Sequence, residues 1–148
     1  MKIANRLKSL LLVGLQFLFI FLLLSGSPLN KLSASSYTFL LPAILLVLWA
    51  IITMQKSKLR ILPEPSLHAV LVTNGPYRFI RHPMYTAILT GSIGLLVHQF
   101  TWIRLAIVIA LAMVLLIKLF WEEKLLSRKF EAYEQYTKST YRLIPFIF

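Results

Sequence analysis

The sequence predicts an all-α integral membrane protein: four transmembrane helices followed by an amphipathic helix on the cytoplasmic face. Three observations predict it. Apolar residues make up 58% of the 148-residue chain and charged residues only 14%, with a mean hydropathy of +0.76. A soluble fold of this size has too little interior to hide so much apolar side chain, whereas a bilayer solvates it. The apolar residues also gather into four runs of near-spanning length, at about 7–24, 37–54, 83–100 and 102–121. Finally, fourteen of the sixteen cations lie before the first run, between the second and third, or from Lys118 onward. The other two connections carry only Lys31 and Arg104. Cytoplasmic segments carry such an excess of Lys and Arg, so both termini are expected in the cytoplasm, with the chain in the cell (inner) membrane.

The first run follows Lys2, Arg6 and Lys8, as a signal peptide would, but it continues to Leu24 without a small-x-small cleavage site. It is therefore expected to be a retained first span. The second run carries Pro42 one turn inside, where a kink is permitted but not required. The third and fourth runs reach spanning length only by including polar end residues such as Gln99 and Lys118, and long cationic side chains at such ends snorkel to the interface. Only a few residues join these two runs, so they are expected to form an antiparallel hairpin. Trp49, Trp102 and Trp121 read as interface anchors, and His98 as a loop residue on the far side.

After the fourth run, residues 122–138 read as a continuing helix with Leu126, Phe130 and Tyr133 at helical spacing, suited to the membrane surface. The final RLIPFIF holds Pro145 and reads as extended or turned. No repeat or boundary divides the chain, which is expected to be one domain, 1–148. The net charge of +11 would suggest nucleic acid in a soluble protein. Here it reports anchoring next to anionic lipid, so membrane lipids and not nucleic acid are the expected partners. Cys and Asp are absent and there are five Glu, which excludes thiolate chemistry and leaves little for a metal site.

The hairpin brings two polar stretches together: GPYRFIRHPMYT (75–86), before the third run, and KLFWEEK (118–124), after the fourth. The first is expected to be fed by the 55–74 connection, and the second by the tail to residue 148. Pro83 suits the first turn of a helix. Arg81 and His82 then stand at a helix N-terminus, where free N–H groups favour an anion. Tyr77 and Tyr85 offer aromatic faces for a cation or a planar base. Glu122 and Glu123 offer carboxylates for an ammonium or for ribose hydroxyls. A ligand with carboxylate, ammonium, sulfonium and adenine is matched part by part, and S-adenosylmethionine is such a ligand.

At these residues the sequence resembles a known family. LVTNGPYRFIRHPMYT with the downstream EEKLLSRKFEAYEQYTKSTYRLIPFIF is similar to the isoprenylcysteine carboxyl methyltransferases, integral membrane enzymes related to the phospholipid N-methyltransferases. The resemblance covers residues 71–148, and the earlier spans match only as apolar helices. It implies that Leu71, Val72, Tyr77, His82, Pro83, Met84 and Tyr85, with the acidic cluster after the last span, enclose S-adenosylmethionine, and the chemistry above adds Arg81 and Glu123 to the residues expected to bind it. It also implies a cation one turn before a functional glutamate, here Lys118 and Glu122, placed to act on a lipophilic or lipidated acceptor arriving from the bilayer. Several positions depart from the family pattern. Ala69 stands where a His is usual, with His68 one step back, Ala87 replaces a Gly, and Lys118 replaces an Arg and loses the planar bidentate contact. Two other readings stand beside a methyltransferase: an NADPH-dependent reductase of the sterol-reductase type, and a small membrane protein without enzymatic activity.

Overall fold

The computed structural model describes residues 2–27, 32–55 and 70–148. Expectations that fall on Lys31, Lys56, Lys58, Arg60 and His68 lie outside the described residues. The fold is all-helical: α1 (Lys2–Ser25), α2 (Ala34–Met54), a 3-10 turn (Gly75–Arg78), α3 (Pro83–His98), α4 (Trp102–Lys129) and α5 (Tyr133–Lys138). No strand forms among the described residues, and Ile80 and Tyr141 make a single parallel bridge.

The outside of this fold is apolar. Leu7, Phe17, Phe21, Leu45, Ile52, Ile103 and Met113 are all exposed, an arrangement that water would oppose and lipid accepts. Three helices, α1, α2 and α4, are long and apolar enough to cross a membrane, and the protein is an integral membrane protein. Sequence reasoning expected four spans, and α3 is the one that falls short of this length. Its sixteen residues extend about 24 Å against the ~30 Å of a hydrocarbon core.

The helices pack chiefly in two pairs, α1 with α4 and α2 with α3. The α2–α3 contact is built from small residues. Ser36, Ala43 and Ala50 recur every seventh position of α2 and are buried. Opposite them, a Cβ on Gly91 would lie 3.6 Å from the Ala43 Cβ, and one on Gly94 would lie 3.1–3.2 Å from Leu40, Phe39 and the Ser36 carbonyl. Without bulk on either face the backbones approach closely, which is how helices associate when lipid removes the hydrophobic drive between them. Ala87 is buried at 4% exposure, as suits a small-for-small replacement. Leu23, Leu95, Val108, Leu111 and Leu115 form a core where α1, α3 and α4 meet.

Two residues that sequence reasoning assigned to loops hold the end of the bundle away from the polar stretches. Arg104 lies in the first turn of α4, buried to 7% exposure. Its Nη1 donates to Ser27 Oγ (3.0 Å) and the Leu95 carbonyl (3.3 Å), and its Nη2 to the Leu23 carbonyl (3.5 Å). A guanidinium has enough donors to cap the C-termini of α1 and α3 together. Thr101 caps α4 by accepting the Arg104 N–H. His98 is the last residue of α3 and its Nδ1 accepts the Ser33 N–H at 3.2 Å, tying α3 to the start of α2.

The tail departs from the single helix expected over 122–138. α4 continues to Lys129, Phe130 turns to extended backbone, and α5 starts at Tyr133. The break lets the later chain fold back on the polar turn. There the Arg81 and His82 N–H groups donate to the Tyr141 and Arg142 carbonyls, and the Tyr141 N–H to the Phe79 carbonyl. The final residues close on themselves, the Leu143 and Ile144 N–H groups donating to the Phe148 carbonyl, with Phe146 at φ 65°. This agrees with the turned segment read from Pro145.

Candidate functional site

The site lies at one end of the bundle, where the end of α2, the 3-10 turn, the start of α3, the end of α4 and the tail converge. Gly75 sets the turn. Its φ is +58° and a Cβ there would strike the Thr53 side chain of α2, so glycine is required on two counts. Tyr77 then points inward, its hydroxyl donating to Met54 Sδ at 3.2 Å, and its carbonyl accepts the Tyr136 hydroxyl at 2.6 Å. Burial, followed by the charge of Glu122, pushes the Tyr77 phenol well above its usual range. Burial likewise raises Tyr136 to about 12. Both phenols are therefore neutral and available as donors.

Arg81 and Glu123 bind the tail to the turn. Arg81 Nε donates to Glu123 Oε1 at 2.7 Å. Its Nη1 donates to the Thr137 carbonyl (3.3 Å), to Thr140 Oγ1 (3.1 Å) and to the Thr140 carbonyl. The second Glu123 oxygen accepts Arg142 Nε at 3.0 Å. Both carboxylate oxygens are thus engaged by guanidinium groups.

Glu122, one position earlier and about 100° around the helix, faces a different group. Its Oε2 accepts the Tyr85 hydroxyl at 2.8 Å and lies 3.7 Å from His82 Nδ1. The His82 and Tyr85 rings stack with centroids 5.3 Å apart. His82 is 6% exposed, and its Nε2, 3.6 Å from Glu123 Oε1, has no hydrogen-bond partner. A buried imidazole nitrogen without a hydrogen-bond partner costs stability.

Lys118 approaches from the apolar side. It is 1% exposed, its Nζ donates to Gln16 Oε1 of α1, and it stands 5.3 Å from the Tyr85 ring centroid. Sequence reasoning missed Gln16 and Ser9, both buried on α1. The available signal was a seven-residue spacing of polar side chains inside an apolar run, which puts both on one helix face. Ser9 Oγ has no partner.

The structure thus gathers Tyr77, Arg81, His82, Tyr85, Lys118, Glu122 and Glu123 at one end of the bundle. Pro83 is buried at the first position of α3, and Met84 follows it, half-buried. Leu71 and Val72 are half-buried in the non-helical stretch before the turn, apart from the hydrogen bonds and ion pairs that join the other site residues. His82 Nε2 and the free Glu122 oxygen, beside an aromatic face, fit a ligand that combines cationic and polar parts.

A 77-residue stretch of the chain is 38% identical to the nickel-cobalt-cadmium resistance protein NccN of Alcaligenes xylosoxydans xylosoxydans. The similarity covers 51% of this chain and 36% of that protein, so this chain matches about a third of that relative's length. Residues 31–133 match the phospholipid methyltransferase family, which includes the turn, α3 and α4 and speaks for methyl transfer rather than nicotinamide reduction. The chain belongs to the phospholipid methyltransferase family, membrane methyltransferases related to the isoprenylcysteine carboxyl methyltransferases.

Proposed function

We propose that the protein is an S-adenosylmethionine-dependent methyltransferase whose acceptor is a lipophilic molecule entering from the bilayer at the cytoplasmic face. The observation that carries this reading is the His82–Tyr85–Glu122–Lys118 cluster. A polar face with an unsatisfied imidazole nitrogen adjoins Lys118, which is buried between Gln16 of α1 and the Tyr85 ring. S-adenosylmethionine, when bound, supplies an electrophilic methyl group on a sulfonium. His82, Tyr85 and Tyr77 hold it, with Leu71, Val72, Pro83 and Met84 lining the approach. Arg81 and Glu123 keep the turn and tail in register beneath it.

Lys118 and Glu122 meet the acceptor. Methyl transfer is an in-line displacement, so much of the rate comes from orienting the nucleophile and excluding water. A carboxylate acceptor needs no base. An amine acceptor gives up a proton, and Glu122 is the carboxylate with an oxygen free to take it. The test is transfer of a labelled methyl group from S-adenosylmethionine into a lipid extract by the purified protein. Label in an organic-soluble product, lost in Glu122→Gln, supports the reading. No label above a protein-free control, across extracts containing both carboxylate and amine lipids, overturns it.

A further inference from the structure

Outside this cluster, α1 and α4 enclose an open groove of about 610 Å³. Its polar lining is Asn5 and Lys8 of α1 with Lys124 and Arg128 of α4, and its apolar lining includes Ile117 and Phe120, one to three turns earlier along α4. Trp121 lies between, with Lys8 Nζ 4.9 Å from its ring centroid. The α4 residues 117, 120, 121, 124 and 128 follow one helical stripe. Lys118 and Glu122 occupy the neighbouring stripe, so this groove is not the acceptor side of the cluster.

Its charges are one-sided. No carboxylate lines the groove, and Lys8, Lys124 and Arg128 are exposed. None of the three takes part in the ion pairs made among the described residues. Three cations without a carboxylate partner adjoin apolar side chains, with a tryptophan between them. That order, read down the helix, matches an anionic phosphate with an acyl chain beneath it.

We propose that the α1–α4 groove is a binding site for an acidic phospholipid, its phosphate held by Lys8, Lys124 and Arg128 and its chain lying on Ile117 and Phe120. Charge complementarity selects a headgroup of net negative charge over a zwitterionic one, since a cationic headgroup would meet only cations. The proposal is independent of methyl transfer.

Native mass spectrometry of the protein released from phosphatidylcholine nanodiscs doped with phosphatidylglycerol tests it. One retained phosphatidylglycerol is expected. The Lys8→Gln/Lys124→Gln/Arg128→Gln variant should retain it about 10–100-fold more weakly, given the attraction of each cation at an anionic surface. A charge-matched control, Arg6→Gln/Arg78→Gln/Lys138→Gln, should retain it as the wild type does. Glycerol phosphate should not compete, because it lacks the chain. Circular dichroism checks the fold, and if the triple variant unfolds, Lys124→Gln/Arg128→Gln gives the same reading with α1 intact. Equal retention of phosphatidylcholine, equal loss in the control, or competition by glycerol phosphate would each overturn the proposal.

Discussion

Lys118 is buried almost completely, and at the residue scale its neighbours decide what it can do. Gln16 Oε1 accepts a hydrogen bond from its Nζ, the Tyr85 ring lies beside it, and Glu122 stands one turn on. Gln16→Leu removes the partner and leaves the charge, so it should destabilise the protein by about 1–3 kcal/mol. Gln16→Leu/Lys118→Met removes both and should recover much of that loss. Thermal melting in one fixed detergent checks the pair, and strictly additive losses would mean that the two side chains do not interact. Glu122→Gln keeps shape and removes charge. It should lower turnover roughly 10²–10³-fold while barely moving the melting temperature, and a wild-type rate would make Glu122 a solvated helix face. The motif made His82, Tyr85, Glu122 and Lys118 legible, because polar side chains at the ends of apolar runs are conspicuous. Gln16 was not legible. A single amide in an apolar run reads equally as packed or lipid-facing until its partner, 102 residues away, is known.

At the scale of elements, the long helices α1, α2 and α4 could be read from the apolar runs, but the short reach of α3 and the path of the tail could not. Leu126, Phe130 and Tyr133 do fall at helical spacing. The helix breaks at Phe130, and beyond the break distant groups hold the backbone: Arg81 donates to the Thr137 and Thr140 carbonyls, and residues 79–82 pair with 141–142. Tyr136→Phe removes one fastening, the bond to the Tyr77 carbonyl, and should cost about 0.5–1.5 kcal/mol while making the tail easier to cleave in limited proteolysis. The α2–α3 contact offers a sharper contrast. Gly94→Leu forces a side chain into space already taken by Leu40, Phe39 and the Ser36 carbonyl, and should cost at least 1–3 kcal/mol (~) as overpacking does. Gly14→Ala meets nothing within 4 Å and should be neutral or slightly stabilising, since alanine gives up less backbone entropy in a helix. Equal melting temperatures for the two variants would remove the close α2–α3 packing.

For the whole molecule, the fourteen-to-two division of cations implies one orientation. Reporter fusions at Ser33 and Gln99 should read as outside and a fusion at Leu67 as inside. An inside reading at Gln99 would mean that the short α3 does not cross. Arg104 fits this arrangement, since an arginine that caps two helix ends needs no cytoplasmic position, and charge counting alone could not reveal its role. The molecule then presents apolar faces to lipid, a guanidinium clasp at one end, and at the other a polar turn closed by the tail. This polar end is the proposed binding site for S-adenosylmethionine, through His82, Tyr85 and their neighbours. Isothermal titration calorimetry with S-adenosylhomocysteine tests it most directly. Saturable one-site binding is expected of the wild type, weakened at least about tenfold, or ~1.4 kcal/mol, in both His82→Ala and Tyr85→Ala. Unchanged affinity in both variants, with helix content and melting temperature preserved, would contradict it.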